Sequence, residues 1–178
     1  MEYSNQSLNV EELVRQLEIA DATVSLVTRD GLADVDGLQS KLEGHQLPND
    51  FTNFLQNSDG LHLTYTLPSG VPNRRNTPVG SFHICKSKEL SVSDVDLTDQ
   101  GLDIFGTAIA FEQVPDLGVV AFVYPDGQPA NAHPTVWLRD RILNWHYICR
   151  NFSCYYRLAM VHMAVARWQV SFERLGTF

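Results

Sequence analysis

The sequence lacks the short motifs by which many enzymes and metalloproteins are recognised. It contains no glycine-rich phosphate loop, no GxSxG nucleophile motif and no HExxH metal motif. The neighbouring pairs His83/Cys85 and His146/Cys149 supply two possible ligands each, too few for a zinc site. We therefore expect a protein that is not an enzyme and that holds no cofactor and no metal.

Cysteine is also scarce. The chain has three cysteines, Cys85, Cys149 and Cys154. They form no CxxC pair, and their odd number suits a reducing compartment better than a disulfide framework. The N-terminus MEYSNQSLN has no basic region followed by an apolar one, so no signal peptide is predicted. The apolar run Cys154–Trp168 is interrupted by two arginines and is too short for a membrane span, so a cytoplasmic protein is expected.

Acidic residues become rare toward the C-terminus. The net charge is −8, and residues 1–60 hold 11 acids and 3 bases, whereas residues 131–178 hold 2 acids and 6 bases, all arginine. The acidic bulk argues against nucleic acid as the main partner, because phosphate binding needs a basic face. Arginine makes bidentate and stacked contacts at protein interfaces. The C-terminal end is therefore the predicted docking region for protein partners.

The candidate partner-binding residues are Arg139, Arg141, Arg150, Arg157 and Arg167, the aromatic neighbours Tyr155 and Tyr156, and the dibasic loop pair Arg74 and Arg75. Three alternatives remain open. Some arginines could simply cover solvated helix faces. Arg141 could hydrogen-bond to the sheet, and Arg157, in an apolar helix, could need a buried partner. At least one of the two adjacent tyrosines should lie in the core, since they point in different directions from one helix.

With 178 residues and no repeat, the chain is predicted to form a single domain, 1–178. A helix is expected near Val10–Leu17 and another at Pro48–Gln56. Strands are expected at Ala22–Thr28, Leu61–Leu67, Val79–Cys85, Thr107–Phe111, Leu117–Tyr124 and Ala132–Val136. The acidic stretch Glu89–Gly106 is expected to be a mobile loop or a functional insertion.

The segment Thr135–Phe172 contains all three tryptophans, so it should pack against a core or a partner. Its apolar residues Leu138, Ile142, Trp145, Cys149 and Phe152 recur at steps of three and four. This spacing predicts an amphipathic helix with Trp145 buried against the sheet, then a second, buried helix over Cys154–Trp168. Strands in the middle with helices at both ends predict an α+β fold with a curved, mostly antiparallel sheet.

Two stretches resemble a known family. WLRDRILNWH followed by CYYRLAMVHMAVARWQVSF is similar to the C-terminal signature of the second subunits of tubulin polyglutamylase complexes, non-catalytic proteins with a SUKH (Smi-Knr-like) domain. The residues that match this pattern are Trp137, Asp140, Arg141, Trp145, His146, Tyr155, Tyr156, Arg157, Leu158, His162, Trp168 and Gln169. LPNDFTNFLQNSDG resembles a SUKH signature further upstream. The resemblance spans about Ala22–Phe172 and implies a SUKH-like fold, which agrees with the predicted elements.

The resemblance implies a non-catalytic interaction subunit of a tubulin polyglutamylase or another microtubule or ciliary assembly. Its partners would be glutamylase complex subunits or other microtubule-associated proteins, and it would lie at the cytoskeleton, in the cilium or at the basal body. Because tubulin tails are acidic, a chain of net charge −8 should contact a catalytic or scaffold subunit rather than tubulin. The alternative is a stand-alone SUKH binding module, such as an immunity protein that covers a basic toxin.

Overall fold

The computed structural model describes residues 10–32, 34, 37–38, 42, 45–68, 77–127 and 133–173. It has the predicted α+β architecture, a curved antiparallel sheet with helices at both ends. The helices are α1 (Val10–Ile19), α2 (Asn49–Asn57), α3 (Phe152–Val161) and α4 (Val170–Glu173). The strands are β1 (Thr23–Thr28), β2 (Leu61–Leu67), β3 (Thr77–Ile84), β4 (Ser91–Asp96), β5 (Phe105–Val114), β6 (Gly118–Pro125), β7 (Thr135–Asp140) and β8 (Trp145–Cys149).

The eight strands form one sheet in the order β1-β2-β3-β5-β6-β7-β8, and β4 also pairs with β5. Every pairing is antiparallel. β4 pairs with β5 from Phe105 to Ala110, whereas β3 pairs with β5 at Glu112. The register of β5 is irregular between these two residues, Ala110 and Glu112. Such irregularities bend a strand, which suits the curvature of the sheet. Glu112, at this irregularity, carries the most buried carboxyl group among the described residues.

The larger core lies between the helices and one face of the sheet. Phe51 of α2 is fully buried at its centre, and its ring packs edge-on or tilted against those of Phe111, Phe122 and Phe152. These three rings come from β5, β6 and α3. Aromatic pairs of this geometry add to the free energy gained from burial, so one α2 residue joins the N-terminal and C-terminal helices to the sheet.

A smaller core covers the opposite face. Trp137 of β7 and Trp145 of β8 are buried there together with alanines of β5 and β6 and with Val95 and Leu97. Val95 lies on β4 and Leu97 directly follows that strand. The expectation that Glu89–Gly106 is a mobile loop is therefore wrong, because the stretch contains a strand and contributes Val95 and Leu97 to a core, whereas a functional insertion stays a prediction.

The C-terminal residues after α3 return to the sheet. The Tyr65 ring lies over Gly80, where a Cβ atom would fall 1.7 Å from Cε1 of Tyr65. The Tyr65 hydroxyl donates a hydrogen bond of 2.9 Å to the carbonyl of Met163. Ser81 donates to the carbonyl of Ala164, at 2.9 Å. Glycine thus lets an aromatic ring cross β3 and hold the returning chain.

The sequence prediction was wrong for the first C-terminal helix. The stretch Leu138–Cys149 lies in the hairpin of β7 and β8, and Ile142, expected on the apolar stripe, is 79% exposed at its turn. The second helix is shorter than predicted: α3 begins at Phe152 and ends at Val161, and turns follow. Asn151 caps it as expected, because its side chain accepts a hydrogen bond from the Cys154 amide at 2.9 Å.

The other predicted elements are present with shifted ends, and LGVVAFVY occupies the inner strand β6. Of the predicted strand Ala132–Val136, only Thr135 and Val136 lie on β7, and Ala132 is outside the described residues. Trp145 is buried as predicted, although it lies on a strand. Arg74 and Arg75 lie outside the described residues. In the described part of the chain, no helix has the length and apolar character needed to cross a bilayer.

Candidate functional site: the arginines of the C-terminal region

The five described candidate arginines come from different elements, and they fall into three groups. Arg139 lies on β7, Arg141 in the following turn, Arg150 between β8 and α3, Arg157 on α3 and Arg167 after it. Arg139 stands apart from the others. It is half-buried, and its guanidinium carbon lies 5.6 Å from the centroid of the Trp145 ring, a cation–π contact that keeps the side chain along the hairpin.

Arg141 and Arg167 converge on one carboxylate. Asp116, in the turn between β5 and β6, lies 3.7 Å from a guanidinium nitrogen of Arg141 and 3.1 Å from one of Arg167. All three side chains are at least half exposed. Exposed ion pairs contribute little to stability, so both guanidinium groups remain available to a partner. Arg141 pairs with this loop acid, and the alternative that it hydrogen-bonds to the sheet gains no support.

Arg150 and Arg157 line one depression. It measures about 220 Å³, and its wall also includes Cys154, Leu158 and Val161. Both arginines are exposed, and within the described residues neither forms an ion pair. The expectation that Arg157 needs a buried partner is therefore wrong. Two free guanidinium groups beside an apolar wall can bind a carboxylate and an aliphatic side chain of the same peptide.

The two candidate tyrosines are mainly interior residues. Tyr155 is fully buried, so it cannot reach a partner surface in this fold, and it is removed from the candidate set. Tyr156 is half-buried and packs on the rings of Phe54 and Phe82. The amide of Val10 donates to its hydroxyl, and burial raises the pKa of Tyr156 to about 12. Tyr156 therefore joins α3 to the start of α1.

Sequence reasoning missed a buried polar cluster formed by Glu112, Tyr155 and Gln169. The Tyr155 hydroxyl and the His83 amide donate to the Glu112 carboxyl, and Gln169 donates to the Tyr155 hydroxyl at 2.9 Å. Burial raises the pKa of Glu112 to about 8, and the hydrogen bonds it accepts offset only part of that effect. Glu112 is 2% exposed, so the cluster is out of reach of a substrate. A lone acid in the apolar strand TAIAFEQV was the available signal.

The histidines show no metal-binding arrangement in the described regions, where no group of three or more His, Cys, Asp or Glu residues is placed to hold an ion. His146 instead lies 3.0 Å from the Asp140 carboxylate. His162 stacks on the Trp168 ring, with centroids 5.2 Å apart. His62 and His83 face each other across β2 and β3. Cys85, Cys149 and Cys154 are free thiols.

Comparison with known proteins identifies relatives of one kind. The chain is 28% identical over 157 residues to tubulin polyglutamylase complex subunit 2 of rat and of mouse, an alignment covering 73% of this chain and 52% of each relative. It is 42% identical to the human subunit over 60 residues, which is 33% of this chain and 20% of that protein. The chain spans about half the length of the curated rodent relatives it matches. No family model matches it, so membership of the SUKH family stays a prediction, and no solved structure matches significantly. The similarity is therefore to the second subunit of the tubulin polyglutamylase complex.

Proposed function

We propose that this chain is a non-catalytic, protein-binding subunit of a tubulin polyglutamylase complex at the microtubule cytoskeleton. The observation that carries this proposal is the 28% identity over 157 residues to a subunit named for that complex. Because the relatives are named as subunits of a complex, they support a role in binding other proteins rather than a role in isolation. The arginines described above supply a surface for such binding.

The buried position of the polar cluster supports the non-catalytic part of the proposal. A general acid or base must come within hydrogen-bonding distance of its substrate. The carboxyl group with the largest pKa displacement among the described acids, Glu112, lies in the core beside a fully buried tyrosine. Perturbed pKa values cluster at catalytic sites, but they also arise in buried structural networks. Here the network joins β5 to α3 and the C-terminal segment.

The depression that contains Arg150 and Arg157 is our proposed contact for an acidic segment of another subunit. The chain carries a net charge of −8, so most of its surface repels acidic partners at low salt. The two unpaired arginines in this depression replace that repulsion with a local attraction, which orients an approaching acidic partner. We place the partner among the catalytic or scaffold subunits, since long acidic tubulin tails would meet the repulsive bulk as well.

A charge reversal tests the proposed contact. Arg157→Glu should weaken association with the polyglutamylase complex by about 1–3 kcal/mol, because it replaces an attractive contact with a repulsive one. Its melting temperature should stay unchanged, since the side chain is exposed and forms no ion pair with the described residues. Affinity is measured by biolayer interferometry against a complex assembled without its subunit 2.

Lys88→Glu is the matched control. Lys88 is an exposed cation in the turn after β3, so the substitution changes the net charge by the same amount at another place. It should leave the affinity within about twofold. If the unaltered chain does not bind the complex, the proposed function is wrong. If it binds and Arg157→Glu binds equally well, only the location of the contact is wrong.

A further inference from the structure

The turn that joins β7 to β8 exposes two large aliphatic side chains. We call Arg141, Ile142, Leu143 and Asn144 the hairpin tip. Ile142 is 79% exposed and Leu143 is 69% exposed. Tight turns favour glycine, asparagine, aspartate and serine, whose side chains suit water or positive φ angles. Neither solvation nor turn geometry explains an Ile-Leu pair at this position.

The backbone conformation of the tip is also unfavourable for the residue found there. Leu143 has a φ of +71°, a left-handed conformation in which the Cβ atom of a bulky residue is crowded. Glycine would remove this strain and asparagine would reduce it. Backbone strain at a specific residue persists where surrounding contacts enforce it, and it points toward function.

The Asp140 carboxylate enforces the conformation. One of its oxygens accepts hydrogen bonds from the amides of Ile142, at 3.0 Å, and Asn144, at 2.8 Å. The other lies 3.0 Å from the His146 ring. Burial acts to raise the pKa of Asp140, but the hydrogen bonds from His146 and the two amides outweigh it and lower the pKa. The tip is thus presented in one defined shape, which reduces the entropy lost on binding.

Arginines adjoin the exposed pair, and the carboxylates of Asp116 and Asp140 offset part of their charge. Arg141 belongs to the tip, and Arg167 reaches the same Asp116 carboxylate as Arg141. Arg139 stacks on Trp145 at the base of the hairpin. Around an aliphatic anchor, guanidinium groups of this kind form the polar rim that protein interfaces show. The complementary surface is an apolar pocket bordered by carboxylates.

We infer that the hairpin tip inserts Ile142 and Leu143 into an apolar, acid-rimmed pocket of another subunit of the polyglutamylase complex. This inference rests on the proposed function and adds a second contact to the Arg150/Arg157 depression. The partner is a folded protein that has a pocket. An extended peptide would need a groove to bind in, and the protruding tip does not form one. Burial of this pair removes the apolar surface that is otherwise left in water.

Two variants and a control test the inference against the complex assembled without its subunit 2. Leu143→Gly and Ile142→Ser should each weaken binding by about tenfold or more, because each removes an aliphatic anchor. Leu143→Gly should keep or raise the melting temperature, since it relieves the left-handed strain. Loss of affinity without loss of stability separates a docking role from a structural one. Ile19→Ser is the control, because Ile19 is 72% exposed at the end of α1, and its affinity should stay unchanged.

Photocrosslinking gives a direct readout. Benzoylphenylalanine at position 142 should crosslink to a subunit of the complex, and the same group at position 19 should not. The inference is overturned if Leu143→Gly and Ile142→Ser bind as tightly as the unaltered chain, a result that leaves the proposed function standing. It is also overturned if sedimentation velocity shows a dimer that Ile142→Ser dissociates, since the occupant is then a second copy. Failure of the unaltered chain to bind the complex overturns the proposed function and this inference together.

Discussion

At the scale of single residues, the ionisation of Glu112 is coupled to folding. Its carboxyl is buried against the Tyr155 hydroxyl, and its pKa is raised from 4.5 to about 8, chiefly by burial. Near neutral pH the folded chain therefore holds a proton that the unfolded chain releases. The neutral carboxyl can accept the surrounding hydrogen bonds without the cost of a buried charge.

This raised pKa predicts that stability falls as the solution becomes alkaline. Glu112 stabilises the fold fully below pH 4.5, and this contribution is lost as pH rises toward about 8, because the folded state binds more protons over that range. Glu112→Gln keeps the size of the side chain and removes its titration. Urea denaturation at about pH 6 and about pH 9 should show a drop of up to a few kcal/mol in the unaltered chain that is absent in the variant. Parallel pH profiles for the two proteins would contradict the assignment.

At the scale of elements, the β7–β8 hairpin holds the smaller core together. Trp145 is buried there, and its backbone is fixed by Gln100, whose side chain accepts from the Trp145 amide at 2.8 Å and donates to its carbonyl at 3.0 Å. Trp145→Ala should lower the free energy of unfolding by about 3–5 kcal/mol through lost burial and a cavity. Tyr147 is 49% exposed on the same strand and its ring packs edge-on against Trp137, so Tyr147→Ala should cost clearly less, roughly 1–2 kcal/mol. Chemical denaturation of both variants checks this, and equal losses would contradict the packing.

The same hairpin explains where prediction from sequence fails. On β7, Val136 and Leu138 face the larger core while Trp137 faces the smaller one, so all three are buried. A strand covered on both faces has no polar alternation, and periodicity alone cannot separate it from a buried helix. The strand β2 was predicted correctly because its inward residues alternate with more exposed ones. Sheet pairing, which is not local in sequence, decides the outcome.

For the candidate site, composition identified the arginines but not their state. Arg141, Arg150, Arg157 and Arg167 look equivalent in sequence. They differ in ion pairing, because Asp116, which lies in a separate turn, forms ion pairs with Arg141 and Arg167. Ile142 was assigned to a buried stripe, and only the pairing of β7 with β8 places it at an exposed turn. Facts of this kind follow from tertiary contacts and have no short-range signal.

At the scale of the whole molecule, charge is distributed unevenly, and the basic C-terminal segment is fixed to the core. The N-terminal 60 residues carry 11 acids against 3 bases, and the C-terminal 48 residues carry 6 arginines against 2 acids. The C-terminal chain is held by contacts that cross the sheet, from Tyr65 to Met163 and from Glu112 to Tyr155. The arginines are thus mounted on a segment fixed to the core. A fixed basic surface on an acidic body orients a partner before contact.

This polarity predicts how association depends on salt. Exposed charges are screened over about 10 Å at 0.1 M ionic strength, so raising the salt from about 0.05 M to about 0.5 M should slow association with the polyglutamylase complex. The dissociation rate should change less, because the proposed aliphatic contact of Ile142 and Leu143 involves no ion pair. Arg157→Glu should flatten the salt dependence of the association rate, and Lys88→Glu should flatten it less, since Lys88 lies outside the proposed contact. Stopped-flow or biolayer measurements at several salt concentrations supply the slopes. An association rate that rises with salt would mean that the acidic body, and not the arginines, faces the partner during the encounter.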